Sequence, residues 1–451
     1  MKPNKILLTI AFALIIVFGV IVTNNLITDT ANERLILNPH LLARTFETGT
    51  VNEAFKADAY TLVNIVEETH PIFGFPHMLD DEYERIRNEF LHYAARAVDE
   101  IDFLFEIMRY FRVLRDGHMA LQFSEIPPKF LDCIFVVVGN ELYLSENSGD
   151  TLSRVVSIGG VYVGKVIATI ETYFYFENMA DRQHFLSTMP RNKLFLQRAG
   201  MGNEPVVVKV QDSEGTRDVV VDWLTIGDTT NHPPVPIFHH EKMEDVMYIR
   251  IREMAVQQPE LDNLLWAIRD EVRDGVRNFI VDLRYNTGGK SLVNSWVLNA
   301  MGIMEPTIGI YRRYSPLSLQ QRATNERMPA SAHYGGIAIV SKPTTETAVN
   351  SNDVTVAVLT TAVTYSAATL FAVSVQDGGF GVVVGEASRN APDAFGDMLL
   401  FTLPYTQINL DISYSRFVRP DVNANQRTVV PDIEVPSADA LETALAFFKN
   451  K

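Results

Sequence analysis

The sequence predicts a mixed α/β protein in three blocks: helical first, strand-rich second, α/β last. Three observations carry that prediction. Apolar residues recur at helical spacing from Asn52 to about Val113. From Ile126 to about Trp223, short β-branched runs alternate with Gly and Asp turns. After Val246 a strand, an amphipathic helix and a second strand follow at the spacing of a βαβ unit, which requires a parallel sheet.

The chain has 451 residues, enough for two or three domains with substantial cores. Its formal charge of −16 argues against a nucleic-acid partner and disfavours adhesion to anionic lipid. Cys133 is the only cysteine, so an intrachain disulfide and a cysteine-based zinc site are both excluded. It sits in the mostly apolar run 130–138 and reads as a core residue rather than a nucleophile.

Residues 1–26 read as a membrane signal anchor. Lys2 and Lys5 precede an uncharged apolar run over 6–23, just long enough to span a bilayer. No small-x-small cleavage site follows it. The expected orientation keeps the lysines cytoplasmic and the rest of the chain outside, with a cleaved signal peptide as the alternative. Residues 27–52 read as a polar linker. An N-terminal helical domain is expected over 53–125. Its first helix places Phe55, Leu62, Val63 and Val66 on one face, its second Ile86, Phe90 and Leu91. A third, starting at Asp99 or Asp102, turns Phe105, Met108 and Val113 inward. This block ends at Leu114-Arg115-Asp116-Gly117-His118, where Gly117 stops the helix and leaves His118 on a loop.

Residues 126–226 read as a compact β module of binding type, interrupted by one helix near 163–175. The segment 228–236 is a linker by composition, and 237–451 the α/β core. There the buried strand at 278–283 runs into Arg284-Tyr285-Asn286-Thr287-Gly288-Gly289. Paired glycines at a strand end let the backbone approach a ligand, and their N–H groups can donate to an anion or a polarised carbonyl. Residues 312–334 read as a long, lid-like polar loop. In 354–377, a β-branched run, a tight turn and a small-residue helix follow one another, with Ser366 at the first helical turn. A serine there is either an ordinary N-cap or a nucleophile beside unpaired N–H groups.

Together, the DGH ending the helical block, the strand ending in DLRYNTGG and the TYSAA turn resemble the tail-specific (C-terminal processing) family of serine peptidases. The resemblance runs from about Asp58 to Val435. Thr69-His70-Pro71, the SIGGVYVGKVI stretch from Ser157 and the closing VVPDIEV extend it, with Gly159 where the family usually has Asn. It implies a ClpP/crotonase-like core, a PDZ-like module at 126–226 and an N-terminal helical domain. It further implies Ser366 as nucleophile, with an oxyanion hole from the Ala367 N–H and from Gly288 or Gly289.

One branch of the family uses a Ser–Lys dyad, but no lysine occurs between Ser366 and Lys449. The other branch resembles the tricorn core protease, in which a histidine of the helical domain reaches the serine, and His118 fits it. A neutral imidazole is a suitable base for a serine near neutral pH. In that branch a glutamate shortly before the terminal PD often orients the histidine. Here Asn425 or Gln426 falls near that place, Asp421 is the nearest carboxylate, and Asp116 is a further candidate that shapes the turn. Asn can orient an imidazole without stabilising its charge. Lys290 and Glu386 read as structural. His239 and His240 are adjacent, and on a strand they face opposite ways. The expectation is an extracytoplasmic serine endopeptidase with no metal or cofactor. It would act on protein or peptide substrates whose extended ends the PDZ-like module holds by strand addition. A catalytically silent binder of peptides or apolar ligands on the same scaffold is the alternative. A crotonase-type hydratase would need an acyl-CoA site, which an exported acidic chain disfavours.

Overall fold

The computed structural model describes residues 35–36, 51–122, 129–146, 151–202, 205–224, 235–256, 258–322, 333, 335–424 and 427–451. The segment read as a signal anchor lies outside these residues, and so does most of the one read as a linker. Within that linker, Leu35–Ile36 pair in parallel with Phe401 and Thr402. Among the described residues no helix is long and apolar enough to cross a membrane.

The helical block holds Val51–Thr69, Tyr83–Ala94 and Glu100–Arg112. Asp99 caps the third helix, its carboxylate accepting the Asp102 N–H at 2.8 Å. Phe55, Leu62, Val63, Val66 and Phe90 are buried together with Phe103, Leu104 and Ile107. Phe105 departs from expectation. It turns away from this bundle and packs into the core of the middle module with Phe195 and Tyr173. A helix wedged between two cores buries both faces, so Phe103 and Phe105 can each be inside.

The bundle does not close on itself. Its apolar face lies on a sheet ordered Leu35–Ile36, Phe395–Thr402, Asn409–Val418, Gly309–Arg313, Ile337–Ser341. Leu399, Phe401, Leu410, Ile412 and Tyr414 from that sheet join the bundle's core. The short strand Ala120–Gln122 pairs antiparallel with residues 409–411 and so fixes the chain just after His118. The segment expected to be a lid is therefore regular up to 322. Gly309–Arg313 is an internal strand, and Pro316–Arg322 is a helix whose entry is closed by reciprocal Ser315–Ser318 bonds. Of the remainder, 323–332 and 334 lie outside the described residues.

The middle module is an antiparallel sheet ordered Ile134–Val138, Glu141–Glu146, Thr151–Ile158, Val206–Asp212, Gly215–Val221. Helix Val163–Tyr173 lies where the sequence predicts one. Two further helices, Met179–Thr188 and Lys193–Ala199, were not anticipated. Gly159 sits in the tight turn to Val161–Tyr162 with φ 55°. That left-handed conformation suits both Gly and Asn, which accounts for one standing where the other is usual. Burial pushes the half-buried Cys133 thiol up to about 12, which keeps it protonated.

The third block is a sheet ordered Phe238–Met243, Val246–Ile251, Asn278–Asp282, Thr355–Thr360, Gly381–Gly385, Ile433–Glu434. The first pair is antiparallel and every later pair parallel. Helices Pro259–Arg273, Leu292–Ala300 and Ala367–Asp377 cover one face, and Ala440–Lys449 covers the other. Strands covered on both faces read as continuous apolar runs, as Thr355–Thr360 does.

Candidate active site

Ser366 follows the central strand Thr355–Thr360 and directly precedes the helix Ala367–Asp377. Its backbone has φ 53° and ψ −124°, a costly conformation for a side-chain-bearing residue. It is not an ordinary cap, because its hydroxyl makes no capping bond to the helix. Sharp strand-to-helix turns of this kind present a nucleophile at the edge of a sheet. The strain is held by a pinned loop. Tyr365 N–H donates to Asn286 O (3.0 Å), Thr364 Oγ1 to Leu283 O (2.9 Å), and Thr361 Oγ1 to Arg284 O. Residues 367–375 of the helix are all buried, so its first turn has no freedom to relax.

Of the glycine pair, Gly288 lies against this turn and Gly289 against Met254. Gly288 is buried with φ 106°. A Cβ there would fall 2.6 Å from Ser366 Cβ and 3.1 Å from Ala367 N. Its N–H is taken by Asn286 Oδ1 at 2.7 Å. Gly288 thus makes the close approach to the serine, with its N–H engaged by the loop itself. Gly289 is exposed, and among the described residues neither its N–H nor that of Ala367 is hydrogen-bonded. Asn286, fully buried, organises the loop by donating from Nδ2 to Ile251 O at 3.0 Å.

His118 arrives from the helical block. The Asp116 carboxylate shapes the turn. Its Oδ1 accepts the His118 backbone N–H at 2.7 Å, and its Oδ2 lies 3.0 Å from His70 Nε2. The His118 side chain is 7% exposed and meets the residue beside Ser366. Its ring centroid lies 4.8 Å from that of Tyr365, and Nδ1 is 3.5 Å from the Tyr365 hydroxyl. Asp116 Oδ1 stands 4.0 Å from the same nitrogen. Among the described residues, Nε2 has no hydrogen-bond partner, and no bond joins His118 to Ser366 Oγ. Burial depresses the His118 pKa. Asp116 opposes that shift and the Arg389 guanidinium adds to it, leaving the ring neutral near pH 7. The Asp116 carboxyl, though burial pushes it up, is held below its usual range by His70.

Of the orienting residues named from sequence, Asp116 lies beside His118 and Asp421 does not. Asn425 and Gln426 lie outside the described residues. Asp421 sits at the far end of the serine helix. Its N–H donates to Asp377 Oδ2 at 2.9 Å, and Asp377 is the last residue of that helix. Eleven residues at about 1.5 Å rise place it roughly 16 Å from Ser366. Glu386 is structural, accepting the Ser437 N–H.

A different carboxylate occupies the site. Glu177, from the middle module, is 5% exposed. Its Oε1 accepts from the Tyr365 hydroxyl (3.2 Å), and its Oε2 from Asn390 Nδ2 and Ala391 N–H (both 2.6 Å). Asn390 Oδ1 in turn accepts the Ser366 N–H at 2.9 Å. Asn178 reinforces the contact, its Nδ2 donating to the carbonyls of Ser388 (3.2 Å) and Arg389 (2.8 Å). Arg389 covers the Tyr365 ring at 4.3 Å. Burial raises the Glu177 pKa against these donors, and burial pushes Asp181 to about 7. Nothing local in the sequence marks Glu177. Only the Asn178 cap after it is a recognisable signal. No group of three or more His, Cys, Asp or Glu among the described residues is placed to hold a metal ion.

Residues 245–435 match the model of peptidase family S41. No curated protein sequence matches the chain. Among solved structures, mature CPAF is 14% identical with a TM-score of 0.61, over 89% of this chain and 96% of its own. That likeness shows a shared fold across all three blocks. The photosystem II D1 C-terminal processing protease is 12% identical with a TM-score of 0.46, over 86% of this chain and 94% of its own.

Proposed function

We propose that the chain is a serine peptidase, as the match of its residues 245–435 to peptidase family S41 supports, with Ser366 its nucleophile and His118 its general base. The observation that carries this reading is the strained Ser366 elbow, with Gly288 packed against it and the His118 ring tilted against the adjoining Tyr365. His118 Nε2 takes the Ser366 proton as Oγ attacks the substrate carbonyl. The Gly289 and Ala367 N–H groups stabilise the oxyanion. The imidazolium then gives its proton to the leaving amine, and water, deprotonated by the same ring, releases the acyl group. Substrates are proteins or peptides. An extended substrate end adds to an edge of the middle sheet, whose outer strands are Ile134–Val138 and Gly215–Val221.

The same reading places the peptidase outside the cytoplasm, anchored by the 6–23 run behind Lys2 and Lys5. Hydrolysis of unfolded protein by wild type, Ser366→Ala and His118→Ala tests the chemistry. The expected outcome is cleavage by wild type and loss of about a hundredfold or more in each variant. Equal rates in all three would overturn it. Protease accessibility of the tagged C-terminus in intact cells tests the location.

A further inference from the structure

We propose that Glu177 is the positioning carboxylate of the site, setting the His118 tautomer through the Tyr365 hydroxyl and holding the Ser366 backbone through Asn390. The proposal rests on the reading of His118 as base, but its structural half can be tested without catalysis.

The argument is one of donors and acceptors. Glu177 Oε2 already accepts two N–H groups, from Asn390 and Ala391. Its Oε1 faces the Tyr365 hydroxyl at 3.2 Å, and in the ionised form, which its three donors favour against burial, the carboxylate can only accept. The Tyr365 proton therefore points at Glu177. The hydroxyl then presents a lone pair to His118 Nδ1, 3.5 Å away. A lone pair selects the tautomer with the proton on Nδ1. That leaves Nε2 unprotonated, the form a general base needs. Asp116 Oδ1, 4.0 Å from Nδ1, favours the same tautomer without direct contact. The second arm runs from Glu177 Oε2 through the Asn390 amide to the Ser366 N–H, so one carboxylate braces both halves of the pair. Gly117 makes room for it. A Cβ there would stand 2.4 Å from Glu177 Oε1 and 2.6 Å from the Tyr365 hydroxyl.

Glu177→Gln inverts the chain with little change of shape. The amide carbonyl keeps the two N–H donors, so the NH₂ faces Tyr365. The tyrosine must then donate to Nδ1, and the ring proton moves to Nε2. Nitrogen NMR of His118, in full-length protein labelled at histidine and carrying Ser366→Ala, reads this directly. Nδ1–H is expected with Glu177 and predominantly Nε2–H with Gln. Tyr365→Phe, which removes only a hydroxyl, should weaken the preference to what Asp116 alone supplies and guards against misfolding of the first variant. In the Ser366 protein, each variant should lower kcat about tenfold or more while KM stays within about twofold. An unchanged tautomer ratio in both variants overturns the proposal whatever the kinetics. A shifted tautomer with unchanged kcat sustains the relay and instead refutes His118 as the base.

Discussion

The Ser366 elbow and the loop carrying His118 could be placed from sequence because their surroundings are local. A β-branched run before a small-residue helix marks the elbow, whereas the helix before His118 ends at Arg112 and turns through Arg115 (φ 55°) rather than stopping at Gly117. Glu177 could not, because its partners lie 188 and 213 residues away and only the fold unites them. Two predictions belong at this scale. Gly288→Ala puts a methyl on Ser366 and forces φ 106° on an alanine. It should cost roughly 1–3 kcal/mol and most of the activity, read by denaturant unfolding and peptide cleavage. Gly289→Ala leaves Ser366 untouched but sets a methyl 2.5 Å from the Met254 carbonyl oxygen at φ 129°, so it should destabilise without crowding the nucleophile. The second concerns pH. Burial lowers the His118 pKa, and the base acts when neutral. The acid limb of kcat/KM should therefore fall below the ordinary histidine value of about 6.5. A limb at or above it would show that His118 is not the titrating base.

At the scale of elements, the helix Val51–Thr69 was legible from its apolar face, and Glu100–Arg112 was legible as a helix although it buries two faces. Met179–Thr188 was not, because it buries Asp181 and Thr188 beside Leu186 and so shows no apolar stripe. Lys193–Ala199 is too short to establish a period. The turn after Phe395–Thr402 illustrates a contact that pattern cannot reveal. Asp58, fully buried on the first helix, accepts the Tyr405 N–H (3.2 Å) and the Thr406 N–H (2.6 Å). Burial pushes its pKa up to about 6 from an ordinary 3.8. A carboxyl whose folded pKa is raised binds its proton more tightly when folded. Its contribution is therefore full below about 4, declines as pH rises to about 6, and is flat beyond. Asp58→Asn should flatten the decline between those values, by up to ~3 kcal/mol if the shift is felt fully. Asp58→Ala should cost about 2–4 kcal/mol at pH 7 by stranding two amides. Denaturant midpoints across that pH range measure both.

At the scale of the whole molecule, the sequence shows three blocks in order, but not that the first and last share one core. The strands at 395–402 and 409–418 offered alternation without saying what they face. The structure lays them on the N-terminal helices through Leu399, Phe401, Leu410, Ile412 and Tyr414. Residues 237–451 expressed alone should therefore fail to fold, exposing that face. Phe401→Ala in the full chain should cost about 3–5 kcal/mol. A cooperatively unfolding 237–451 fragment would contradict the shared core. The site is also a whole-molecule property, since His118, Glu177 and Ser366 each come from a different block. Its central claim is that Ser366 is a nucleophile activated by His118. The most direct measurement is the rate of covalent labelling by a fluorophosphonate, with the adduct located by peptide mass spectrometry. The account predicts modification at Ser366 alone, none in Ser366→Ala, and labelling slowed about a hundredfold or more in His118→Ala. Modification elsewhere, or the same rate without His118, would contradict it.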